Sequence, residues 1–178
     1  QEMRRRLCHD RGRRGNRGCG MNGKIIGGFL VSVALIAGAL VYYQQVYAYY
    51  QPVLAASQAA EMRLTALASG QPEPIPAAGF EGIDADSSPL RFRGCFTTPV
   101  SLATLTETYQ VYDGATPLNG PGWFSCFDAG RIGSDLETGA AVAFLSEHDI
   151  HPGVDRVIAV YPDGRAYAWH QLNAEAEE

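Results

Sequence analysis

The chain has 178 residues, 46% of them hydrophobic, which is enough for one folded domain with appendages. Its net charge of −5 hides a polarity: eight of the 14 Lys and Arg fall in residues 1–24, and after them six Lys and Arg face seventeen Asp and Glu, a net of −11. An acidic body repels phosphate backbones, which argues against nucleic acid as a partner of the folded part.

Residues 1–20 are rich in Arg and Gly and carry almost no apolar side chains, so they cannot bury enough surface to fold. They read as a disordered basic extension. Met21 opens a short polar head and an apolar run, and is the expected translational start, with the preceding residues an over-extended reading frame. The competing reading is a basic cytoplasmic arm that touches anionic lipid. Cys8 and Cys19 fall in this extension and receive no role.

Residues 25–43, IIGGFLVSVALIAGALVYY, contain no charge. As a helix they extend about 28 Å, matching the hydrocarbon core of a bilayer. Tyr42, Tyr43, Tyr47, Tyr49 and Tyr50 follow, where amphipathic rings favour the headgroup level. Lys24 and the upstream arginines lie on one side, and the next basic residue is Arg63. The positive side stays in the cytoplasm, so the expected location is the inner (cytoplasmic) membrane, single-pass, with the N-terminus cytoplasmic and the C-terminal domain periplasmic. A cleaved signal peptide is the alternative, with Ala37, Gly38 and Ala39 as the small-residue site. Small pairs four apart, such as Gly23 with Gly27 and Ala34 with Gly38, would let a second membrane helix approach.

Residues 44–69 are rich in helix formers and end at Gly70 and Pro72, so the helix is expected to leave the membrane and continue, interrupted near Pro52. Leu54, Met62, Leu64 and Leu67 would form its apolar stripe. Residues 70–89, with Pro72, Pro74, Pro76 and Pro89, have the composition of a linker between anchor and domain. Residues 90–173 form the domain, and residues 174–178 an acidic tail that should fray.

Within the domain, residues 90–97 (LRFRGCFT) alternate Leu90, Phe92, Gly94 and Phe96 with polar neighbours and predict a strand with one buried face. Thr98 and Pro99 start a short helix over residues 100–106, leading to a strand near residues 108–112. Residues 123–127 (WFSCF) read as an aromatic strand, residues 134–139 as one helical turn, and residues 140–145 as a buried strand. Residues 154–161 and 166–172 flank Pro162, Asp163 and Gly164, and predict a β-hairpin. The expected fold is α+β: a transmembrane helix, then a small antiparallel sheet of four or five strands with short helices.

Cys95 and Cys126 each lie between aromatics in a domain placed in an oxidising compartment, so a disulfide is expected, adding about 3–4 kcal/mol. Two buried free thiols are the alternative; the CxxC spacing of a redox pair is absent. His148, Asp149 and His151, in EHDIHPG, form the only ligand-like cluster, with His148 and His151 as the metal-ligand candidates and His170 or Glu147 as a further donor; a polar turn between strands is the plainer reading. Trp123, Phe124, Phe127 and Trp169 read mainly as core, with part of them available as an exposed patch for a partner. No serine elbow, P-loop, dinucleotide glycine pattern, CxxCH or HExxH is present, so no cofactor is expected and an enzyme is only the third reading, which a pocket with converging polar groups would reopen.

Four stretches, MNGKIIGG, RGCFTT, PLNGPGWFSCFDAGRIGSDLETG and GVDRVIAVYPDGRAYAWHQLN, resemble an uncharacterised alphaproteobacterial family of small membrane-anchored proteins, a domain of unknown function. The resemblance implies an anchored envelope protein and brings neither an activity nor site residues. The expected function is therefore that of a membrane-anchored accessory or interaction protein whose partners are the membrane and other membrane or envelope proteins. The alternative is an extracytoplasmic ligand-sensing module that signals through a separate partner, its small-molecule ligand unknown.

Overall fold

The computed structural model describes residues 23–173; the expectations for residues 1–20, Met21 and residues 174–178 lie outside the described residues. The chain forms two units, one up to Tyr42 and one from Tyr43 onward. The first is carried by α1, Gly23–Tyr43, which contains no buried residue. Together with a wide π-type turn at Gln44–Ala48, closed by Tyr49 N–H on the Gln44 carbonyl at 3.2 Å, this is one helix long and apolar enough to cross a membrane.

The helix does not continue to residue 69. After Tyr49 the chain becomes extended at β1, Gln51–Pro52, because Pro52 has no N–H to give and disfavours helical geometry in the residue before it. A single 3₁₀ turn at Gln58–Ala60 follows, then β2, Arg63–Thr65. Met62 and Leu64 are buried two residues apart, as a strand places them, while Leu54 and Leu67 of the expected stripe are exposed.

Residues 70–89 are not a linker. They carry β3, Pro72–Pro74, and β4, Ala78–Asp84. The bonds flanking the β2–β3 register run from Ile75 N–H to the Met62 carbonyl and from Ala66 N–H to the Gln71 carbonyl. Pro72 and Pro74 thus stand at the alternate pairs, where no N–H is needed. The proline composition marks a short strand compatible with proline.

The remaining elements are β5, Arg93–Thr97; α2, Leu102–Thr108; α3, Ala129–Glu137; β6, Val142–His151; β7, Val154–Val160; and β8, Arg165–Leu172. Six strands make one sheet in the order β1-β4-β5-β8-β7-β6, every pair antiparallel, and β2 and β3 make a second. The fold is α+β as expected, with more strands than the four or five read from the sequence. The β7–β8 hairpin matches its prediction: Gly164 N–H donates to the Tyr161 carbonyl at 3.0 Å, and Gly164 takes φ +86°.

Both faces of the large sheet are covered. Phe92, Phe96, Phe144, Ile158, Val160 and Ala168 face one core with Met62, Leu64 and Leu105. Cys95, Ala143, Val157, Ala159 and Trp169 face the other, with Phe127 and Ile132. Strand side chains alternate faces, so β5, expected to bury one face, buries both. The second layer comes from residues 113–128 and α3, whose N-cap Asp128 accepts Arg131 N–H at 3.0 Å. Residues 123–127 are not a strand but successive turns, with Phe124 N–H on the Pro121 carbonyl at 2.9 Å and Phe127 N–H on the Phe124 carbonyl at 3.4 Å. Residues 109–112 hold only isolated bridges, Ala66 to Tyr109 and Val111 to Phe144.

Candidate functional site

The sheet domain is stapled at the loop formed by residues 113–128. Cys95 on β5 and Cys126 are joined by a disulfide. Arg93, two residues earlier on the same strand face, is buried. Its guanidinium donates to four main-chain carbonyls: Leu118 at 2.7 Å, Asn119 at 3.1 Å, Leu90 at 2.8 Å and Phe92 at 2.6 Å. Burial lowers its pKa to about 10, still charged at neutral pH. Between these two attachments lies Trp123. Its indole N–H donates to the Val46 carbonyl at 2.7 Å, and its ring stacks on Tyr47 at 6.2 Å and meets Tyr50 edge-on at 6.0 Å. Tyr47 stacks in turn on Tyr43 at 5.9 Å, and the Arg91 guanidinium lies 5.4 Å over Tyr50. Trp169 and Phe127 are core as expected, but Trp123 is 40% exposed.

A second cluster surrounds the turn from β6 to β7. His148, Asp149 and Asp155 present ligand atoms within 4.8 Å of one another, a donor set suited to a divalent ion. Hydrogen bonds already occupy it. His148 Nδ1 lies 2.9 Å from Asp155 Oδ1, which also accepts Asp149 N–H at 3.0 Å and the Asn173 amide at 3.3 Å; Tyr112 O–H donates to Asp155 Oδ2 at 3.1 Å. Asp149, at φ +49°, accepts from Gly153 N–H and the Asn173 amide. The geometry staples a tight turn, and it gathers His148 without His151.

His151 instead meets His170 edge-on at 5.8 Å. His170 is buried and stacked on Phe92 at 4.8 Å. Its Nδ1 lies 2.7 Å from the Pro89 carbonyl, which can only accept, so Nδ1 carries the proton and Nε2 accepts Arg156 Nε–H at 3.0 Å. Burial, then the Arg156 charge, push the His170 pKa down to about 3. The ring is therefore a neutral bridge with both nitrogens engaged. Arg156 itself lies 4.3 Å over Phe92, and burial lowers its pKa as well. The sequence reading missed Arg93 and Arg156. The available signal was an arginine inside a run of strand residues whose both faces are apolar, as in VDRVIAV.

An open groove of about 730 Å³ runs between residues 111–117, α3 and the start of β6, lined by Tyr112, Gly130, Gly133, Leu136, Ala141 and Ala143.

A family model described as "Family of unknown function (DUF6446)" matches residues 62–178. The chain belongs to this family. No curated protein and no solved structure matches it. The DUF6446 match takes in β2 through β8, both cysteines, Trp123 and the histidine clusters; α1 and β1 lie outside it.

Proposed function

We propose that this DUF6446 chain is a single-pass, membrane-anchored accessory or interaction protein of a bacterial envelope, of the alphaproteobacterial kind the sequence resembles. Its N-terminus is cytoplasmic, and its sheet domain lies on the extracytoplasmic side of the inner membrane. The observation that carries the reading is the Cys95–Cys126 disulfide in a domain that follows, in the chain, an apolar helix whose residues 25–43 carry no charge. Disulfides persist where the compartment oxidises, and the basic foot at Lys24 favours the opposite side of the membrane. The bonding of the domain's polar residues is that of a scaffold: the His148 cluster fastens a turn, and His170 has no free nitrogen for proton transfer.

The test is a pair of C-terminal reporter fusions to the full chain, one active only in the cytoplasm and one only outside it, combined with thiol labelling of Cys95 and Cys126. We expect activity only from the extracytoplasmic reporter, and thiols that label only after reduction. A working cytoplasmic reporter with both thiols free would refute topology and disulfide together.

The groove beside α3 favours a second reading, an extracytoplasmic module that senses a small ligand and acts through a separate partner. A small molecule retained by the purified full chain would support it; a stoichiometric membrane complex recovered in detergent, with no such molecule, would support the accessory role.

A further inference from the structure

We propose that the Trp123 loop is a membrane foot: the exposed indole of Trp123, with Tyr47 and Tyr49, sits in the headgroup layer of the leaflet where the chain's own apolar helix emerges. The proposal rests on the membrane-anchored reading above.

Tyrosines directly after an apolar helix are ordinary interfacial belt residues and by themselves say nothing about the domain. Trp123 is different, because it comes from 77 positions further along the chain. Its indole N–H is bound to the Val46 carbonyl, and residue 46 lies in the last turn of the candidate span. Wherever that turn meets the bilayer surface, Trp123 is held within one hydrogen bond of the same depth. The attachment is rigid on the domain side too: Cys126, three residues on, is bonded to β5, and Arg93 grips the carbonyls of Leu118 and Asn119.

The chemistry of the patch suits a lipid interface. Trp123, Tyr47 and Tyr49 are 40%, 45% and 41% exposed, whereas Trp169 is fully buried. Indole and phenol rings place an apolar body toward acyl chains and a polar edge toward headgroups. Arg91, over Tyr50, adds a cation beside the aromatic patch, of the kind that would meet lipid phosphates. The rest of the body is acidic and would be repelled by anionic lipid, so aromatic insertion holds the loop down and added salt should not release it. A second copy or a membrane partner could cover the same rings, and the measurement separates these cases.

Full-length protein is reconstituted into phosphatidylcholine vesicles whose acyl chains are brominated near the headgroup end, and tryptophan emission is compared with plain vesicles and with aqueous iodide. The chain has two tryptophans, and Trp169 is shielded in the core, so quenchable emission reports Trp123. We expect blue-shifted emission, loss of the Trp123 component in brominated vesicles, little loss to iodide, and disappearance of the lipid-quenchable component in Trp123→Phe, with Trp169 emission preserved as the check on folding. Should that variant fail to fold, Trp123→Tyr replaces it, and the wild-type measurement stands alone. Quenching by iodide but not by lipid, or by neither, would overturn the proposal, the latter meaning that protein covers the loop. A chain that does not float with the vesicles at all refutes the anchored reading itself, a separate outcome.

Discussion

At the scale of single residues, the most informative group is His170, kept neutral between the Arg156 guanidinium and the Pro89 carbonyl. Its folded pKa of about 3 lies below the ordinary 6.5, so the unfolded chain binds the extra proton first as pH falls. The stabilisation is complete above pH 6.5 and is lost progressively toward pH 3, amounting to a loss on the order of 3 kcal/mol by pH 4. We expect guanidinium unfolding midpoints of the wild type to drop over that window, and His170→Gln, which cannot titrate there, to show a flatter profile. An equally steep profile in the variant would assign the acid sensitivity to other groups. Arg156 explains why the site tolerates no second charge: it is buried over Phe92, and a protonated imidazole 3.0 Å away would face it directly.

At the scale of elements, the β7–β8 hairpin depends on Gly164. A Cβ built there would lie 2.6 Å from the Thr98 carbonyl oxygen, on backbone at φ +86°. Gly164→Ala should therefore cost about 1–3 kcal/mol or more, read as a lower urea midpoint at unchanged slope. This hairpin was legible in the sequence because its signal is local: Pro162, Asp163 and Gly164 sit between two apolar runs. The elements that were not legible depend on partners far along the chain. Pro72 and Pro74 read as punctuation, yet β3 pairs Pro72 with Thr65 and Pro74 with Arg63 on the side that needs no N–H. WFSCF has strand composition, but Cys126 is bound to Cys95 and Trp123 to Val46, and both bonds pull the segment into turns. Of the candidate site, the cysteine pairing was readable from the aromatic neighbours of Cys95 and Cys126 and the oxidising compartment expected for their domain. The union of Trp123 with Tyr47, and of His148 with Asp155 in place of His151, was not, because each is fixed by tertiary contacts.

At the scale of the molecule, the disulfide joins the central sheet to the loop that touches Tyr47. It closes 31 positions of chain, and its removal in a Cys95→Ala, Cys126→Ala chain should cost about 3–4 kcal/mol. If the bond also holds Trp123 in place, the double variant should show higher mobility at that ring, measurable as lower tryptophan anisotropy in vesicles, with Trp169 still buried. Loss of stability with unchanged anisotropy would mean that Arg93 alone suffices to hold the loop. That arginine has a consequence of its own. Its four acceptors are neutral peptide groups instead of a carboxylate, so no counter-ion atmosphere competes for the grip. Brine and fresh water should find this fastening equally tight, and a fall in pH would leave it untouched, as no acceptor titrates and Arg93 stays charged below its pKa of about 10.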